Sequence, residues 1–158
     1  MESVEPVCGC VPNGILEVAL QQVIENKGAP GVDGESWEPL KEDRELRERW
    51  LGQLQEELEK KTYRPSPVRR VYILKDNGKR RPLGIPTIRD RVVHTALVLL
   101  LVRIFEADFH EQSFSCRPKR RAQQAVATIQ KALITGRREV VDADLSGYFD
   151  AIPHRELL

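Results

Sequence analysis

The chain has 158 residues, 41% of them hydrophobic, enough to bury the core of a single domain. Lysine and arginine nearly balance aspartate and glutamate at a net charge of +1, so overall charge predicts no polyanionic partner and only its local distribution is informative. Three cysteines, Cys8, Cys10 and Cys116, exclude a disulfide framework, and Cys8-Gly9-Cys10 lacks the second ligand pair a zinc site needs.

In chain order, Leu16, Ala19, Leu20 and Val23 recur at helical spacing and predict an amphipathic helix over Asn13 to Glu25. The glycines and proline of Asn26-Lys27-Gly28-Ala29-Pro30-Gly31-Val32-Asp33-Gly34 predict a loop. A long helix follows, with Leu46, Trp50, Leu51, Leu54 and Leu58 as its apolar stripe and the acids between Glu38 and Glu59 on a solvated face. Arg64-Pro65-Ser66-Pro67 ends it. Val68 to Lys75 and Lys79 to Ile85 then flank Asp76-Asn77-Gly78, an Asn-Gly hairpin signal, with Pro82 confining the second strand to an edge or ending it early. Ile88, Val92, Ala96, Leu100 and Ile104 predict a helix whose middle is apolar nearly all round and therefore deeply buried. Ala122, Ala125, Val126, Ile129 and Leu133 predict another, capped by Gly136. Val140 to Asp144 is expected as a short strand, and Pro153 as the first turn of a last helix. The class is α+β. No signal peptide is expected before the fold, and the apolar run Ala96 to Val102 is too short to span a bilayer, so a cytoplasmic setting without membrane contact is expected.

Charge is unevenly spread along this order. Seven basic residues (Arg64, Arg69, Arg70, Lys75, Lys79, Arg80, Arg81) stand against one acid, Asp76, and Arg117, Lys119, Arg120 and Arg121 form a second cluster. Singly, each is an ordinary solvated charge; the imbalance is what favours a polyanion. Near the C-terminus, Asp142 and Asp144 share a face if the segment is an extended strand. From spacing alone they read more readily as plain surface or capping carboxylates than as ligands for a hard divalent cation, and Phe149 as a core aromatic.

Four blocks in order carry a resemblance. Asp144-Leu145-Ser146-Gly147-Tyr148-Phe149-Asp150 with Ile152-Pro153-His154 resembles the first carboxylate motif of reverse transcriptases, particularly those encoded by group II introns. The loop from Asn26 to Gly34 resembles their N-terminal block. Arg81-Pro82-Leu83-Gly84-Ile85-Pro86-Thr87 with Asp90-Arg91-Val92-Val93 resembles the fingers hairpin and following helix. Phe105-Glu106 with Phe109 and Ser113-Phe114-Ser115-Cys116-Arg117-Pro118 resembles the next block. Phe114-Ser115-Cys116 departs from the family's usual Tyr-Gly-Phe, His94 stands where glutamine is usual, and Leu74 where proline often precedes the lysine.

The resemblance implies right-hand polymerase fingers with a partial palm: a tail at 1–12, an N-terminal helical region at 13–62, fingers at 63–137 and the start of a palm at 138–158. It implies that Asp144 is catalytic and, with the Leu145 carbonyl, binds Mg2+, and that Leu145 and Phe149 lie at the incoming nucleotide. Lys75, Arg81 and Arg91 would face its triphosphate, and Arg69, Arg70 and Arg117 would bind RNA. Implied partners are intron RNA, an RNA template with a DNA primer, and deoxynucleoside triphosphates. The family completes its metal site with a Tyr-x-Asp-Asp hairpin, but Tyr63, Tyr72 and Tyr148 are not followed by such a pair. The chain is therefore expected to be a piece of an RNA-directed DNA polymerase that is inactive alone. The alternatives are a non-enzymatic module that grips structured RNA, and a piece that forms a homodimer through the surface a palm would cover.

Overall fold

The computed structural model describes residues 13–74, 78, 80–145, 147–148 and 151–153. Among the described residues five helices and two strands follow one another: α1 (Asn13–Glu25), α2 (Glu38–Glu42), α3 (Arg44–Glu59), β1 (Arg69–Leu74), β2 (Arg80–Ile85), α4 (Ile88–Asp108) and α5 (Ala122–Ile134). Helices with one antiparallel hairpin make the chain α+β. It divides into two compact units, residues 1–108 and 109–158.

The first unit holds the core. Leu16, Ala19, Leu20, Val23 and Ile24 of α1 pack with Ile88, Val92, Val93 and Ala96 of α4, and Leu40, Leu54 and Leu58 complete the cluster. Each fully buried leucine contributes about 1.5–3 kcal/mol relative to exposure. The α1 stripe packs as its spacing predicts. The long acidic helix instead forms as two, because Asp43 turns extended (φ −102°, ψ 111°) and its Oδ1 accepts from the Leu46 N–H at 3.0 Å. Lys61, in the left-handed region at φ +56°, closes α3, with the Lys61 N–H donating to the Leu58 carbonyl and the Thr62 N–H to that of Glu57.

Two expectations need correction. The middle of α4 is not deeply buried: its buried residues end at Ala96, and Val98, Leu101, Ile104 and Phe105 are exposed. Its composition is apolar all round, but α1 covers only its first half. Nor do residues 140–144 form a strand. A strand needs a partner for its backbone N–H and C=O groups, and among the described residues only β1 and β2 pair; Val141 is 93% exposed.

In the second unit α5 forms where its stripe predicts and ends as Gly136 predicts. Gly136 has φ +90°, its N–H donates to the Leu133 carbonyl, and the Arg137 N–H donates to that of Ala132. No residue of α5 is buried. The last helix expected around Pro153 lies outside the described residues. Among the described residues no helix is long and apolar enough to cross a membrane.

Candidate nucleic-acid interface

The basic hairpin is the most exposed regular element of the first unit. Its strands pair from Arg69 opposite Ile85 to Leu74 opposite Arg80, with Pro82 opposite Tyr72. Pro82 is tolerated in mid-strand because both strands of a two-stranded ribbon are edges. Of the turn, Gly78 is described, at φ +75°, the left-handed conformation that an Asn-Gly turn requires.

Alternation along each strand gives the ribbon two faces. Arg69, Val71 and Ile73 share one with Ile85, Leu83 and Arg81, while Arg70, Tyr72 and Leu74 share the other with Gly84, Pro82 and Arg80. Arg69 and Arg70, expected as one RNA-contacting pair, thus project from opposite faces, and Arg81 lies with Arg69. Lys75 lies outside the described residues.

At its base the ribbon is tied to α4 by a buried carboxylate. Thr87 caps α4, its Oγ1 accepting from the Asp90 N–H at 3.1 Å and donating to Asp90 Oδ2 at 2.7 Å. Asp90 also accepts from the Tyr63 hydroxyl at 2.5 Å and from the Ser66 N–H at 3.2 Å. Asp90 is 2% exposed, so these donors replace the water that a carboxylate would otherwise need. Burial first, then the hydrogen bond to Asp90 and the charge of that carboxylate, push the Tyr63 hydroxyl above its ordinary 10.0. Arg89 Nη2 lies 2.7 Å from Glu57 Oε1, an ion pair between α4 and α3.

Arg91 makes the second tie. Its Nε and Nη2 donate to the Pro86 carbonyl at 3.1 and 2.9 Å, and Nη2 also donates to the Ala29 carbonyl. The loop 26–34 is thereby fastened to the exit of β2, where a Cβ on Gly31 would meet Thr87 Cα at 2.6 Å. Asp90, Tyr63 and Thr87 were not legible as a unit, since Tyr63 and Asp90 stand 27 residues apart.

In the second unit Arg117 is similarly engaged. Its Nη1 donates to the His110 and Ser113 carbonyls at 2.7 and 2.9 Å, and its guanidinium lies 5.1 Å from the centre of the Phe109 ring. A groove of about 1040 Å³ runs along α5, lined by Thr128, Ile129 and Lys131 of the helix with Phe114, Arg120 and Arg137. Asp142, Asp144 and Leu145 are exposed on a segment outside any helix or strand, and Phe149 lies outside the described residues. A carboxylate and a backbone carbonyl are hard oxygen donors suited to Mg2+. They are only part of a donor set, and among the described residues no group of three or more ligating side chains is placed to hold a metal ion.

Residues 73–158 match the reverse transcriptase (RNA-dependent DNA polymerase) family model, and the chain belongs to that family. Within it, the chain is 42% identical to "Protein YkfC" of Escherichia coli (strain K12), covering 90% of this chain and 38% of that protein. It is also 36% identical to the "Group II intron-encoded protein LtrA" of Lactococcus lactis subsp. cremoris, over 91% of this chain and 23% of that one. The chain therefore spans well under half the length of these curated relatives.

Proposed function

We propose that the chain is the nucleic-acid-gripping part of an RNA-directed DNA polymerase of the group II intron type, with fingers over 63–137 and the start of a palm over 138–158. The observation that carries this reading is the ribbon: neither β1 nor β2 contains an acid, their arginines are exposed, and the base is locked to α4. In this reading Arg69, Arg70 and Arg117 bind RNA phosphates, which position a strand without reading its sequence. Lys75, Arg81 and Arg91 neutralise the incoming triphosphate, Arg91 and Arg117 acting from guanidinia already braced on backbone carbonyls. Phe149 packs against the sugar. Asp144 and the Leu145 carbonyl supply part of the oxygen set for Mg2+, which when bound aligns and neutralises phosphoryl oxygens. Intron RNA, a template with its primer and deoxynucleoside triphosphates are the partners.

Titrating the chain onto structured intron RNA across a salt series tests the reading. Log affinity should fall linearly with log salt, and reversal of Arg69, Arg70, Lys75 and Arg81 to glutamate should weaken binding and flatten the slope. Binding indifferent to that reversal would overturn it. A second reading, a non-enzymatic RNA-binding module, is favoured by the ribbon, its anchor and the core all lying within one compact unit, residues 1–108. In either case we expect the chain alone to bind RNA without extending a primer in Mg2+, and extension would refute the incomplete metal set.

A further inference from the structure

The two faces of the hairpin differ in kind, not only in direction. The centre of one is aliphatic, Val71, Ile73 and Leu83. The centre of the other is Tyr72, 56% exposed, directly opposite Pro82. Arg70 precedes Tyr72 by two residues on its own strand, and Arg80 lies on its far diagonal, opposite Leu74. In an antiparallel pair such diagonal neighbours stand about 7–8 Å apart, within reach of a long side chain. Arg70 faces Gly84, which contributes no side chain to the surface and has none to spare: a Cβ there would meet Val68 Cγ2 at 3.0 Å. The ring of Tyr72 thus sits on an acid-free strand face between two cations.

An exposed tyrosine in mid-strand gains little from solvent. An aromatic ring with arginines at either end is what unpaired bases use, the base stacking on the ring and its flanking phosphates meeting the cations. We infer that the Tyr72 face of the hairpin is a stacking seat for an unpaired RNA base, with Arg70 and Arg80 holding the phosphates on either side. This rests on the RNA-binding reading above and adds to it. RNA is gripped on both faces of the ribbon: one through Arg69, the other through stacking, which demands a single strand. Duplex RNA, whose bases are already stacked, cannot use this seat.

The experiment is fluorescence anisotropy of the full chain with a labelled single-stranded oligoadenylate and, in parallel, the same strand annealed to its complement. Tyr72→Leu keeps apolar bulk and strand preference but removes the π-face, so the hairpin survives while the seat is lost. Tyr72→Leu and Tyr72→Ala should weaken single-strand binding roughly tenfold with an unchanged salt slope, and Tyr72→Phe should bind like the parent. Arg70→Gln and Arg80→Gln should each reduce the salt slope by about 0.7. Ile73→Ala, on the opposite face, should be neutral, and the duplex should be insensitive to every Tyr72 variant. If the parent chain binds oligoadenylate in a salt-dependent way but Tyr72→Leu binds equally well, or Ile73→Ala loses as much, this inference falls and the RNA reading stands. If the parent chain binds no RNA at all, both fall.

Discussion

Replacing Gly31 by alanine would put a methyl carbon 2.6 Å from Thr87 Cα, 2.8 Å from Thr87 N and 3.0 Å from Pro86 C. Carbon atoms sit best at about 3.5–4.0 Å, so the overlap is about 1 Å. Both sides of the clash are backbone, so no rotamer change relieves it. The loop 26–34 must back away, and in doing so it draws the Ala29 carbonyl from the Arg91 guanidinium. Overpacking of this sort costs about 1–3 kcal/mol, and weakening a hydrogen bond to a charged group adds up to about 1.5–3 kcal/mol. At about 2–4 °C per kcal/mol for a chain of this size, a loss near 3 kcal/mol lowers the melting temperature by roughly 6–12 °C. Thermal melts followed by far-ultraviolet circular dichroism would measure it. The internal control is Gly52→Ala in mid-α3, where an added Cβ meets nothing within 4 Å and should stabilise by about 0.5–1 kcal/mol. A Gly31→Ala chain that melts with the parent, or above it, would refute the close approach.

Three further outcomes follow from other sites. The Tyr63 hydroxyl is raised above 10.0, so the stabilisation tied to it is complete below about pH 10 and shrinks as pH climbs toward the raised value. Denaturant titrations through alkaline pH should therefore show the parent losing stability more steeply than Tyr63→Phe, and parallel curves would count against the Tyr63–Asp90 bond. Lys61→Gly removes a side chain from a left-handed residue at φ +56° and should raise stability by about 0.5–1 kcal/mol in the same titration; a loss would mean the lysine makes a contact of its own. Asp144→Asn, on an exposed segment, should leave stability within about 0.5 kcal/mol, and a larger drop would make Asp144 a structural rather than a ligand carboxylate.

What could be read from the sequence was what depends on near neighbours. The α1 stripe, the left-handed Gly78 and the Gly136 cap are all set within a few residues, and each formed as its local chemistry requires. The break between α2 and α3 had a local signal too, since Asp43 is a good N-cap three residues before the Leu46 N–H that it accepts. The remaining features depend on distant partners. Composition could not show that α1 covers α4 only as far as Ala96, nor that residues 140–144 have no strand to pair with among the described residues. At the candidate site, the alternation that separates Arg69 from Arg70 was available from the strand period alone. That Arg91 and Arg117 spend donors on backbone carbonyls was not, because a guanidinium bound to protein and one awaiting phosphate read the same in one dimension.

The Arg91 clasp and the α1–α4 core also bear on how the chain is made. Ala29 and Arg91 are 62 residues apart, and the apolar face of α1 packs on residues a similar distance downstream. At about 5–20 residues per second, the ribosome delivers the partner of Leu16, Leu20 and Val23 roughly 3–12 s after α1 itself. Throughout that interval only Leu40, Leu54 and Leu58 of α2 and α3 are at hand to cover part of the greasy face of the first helix. Slow codons between Gly34 and Ile88 would lengthen the exposure, and a holdase that binds short apolar helices would have its best chance at this chain before α4 arrives.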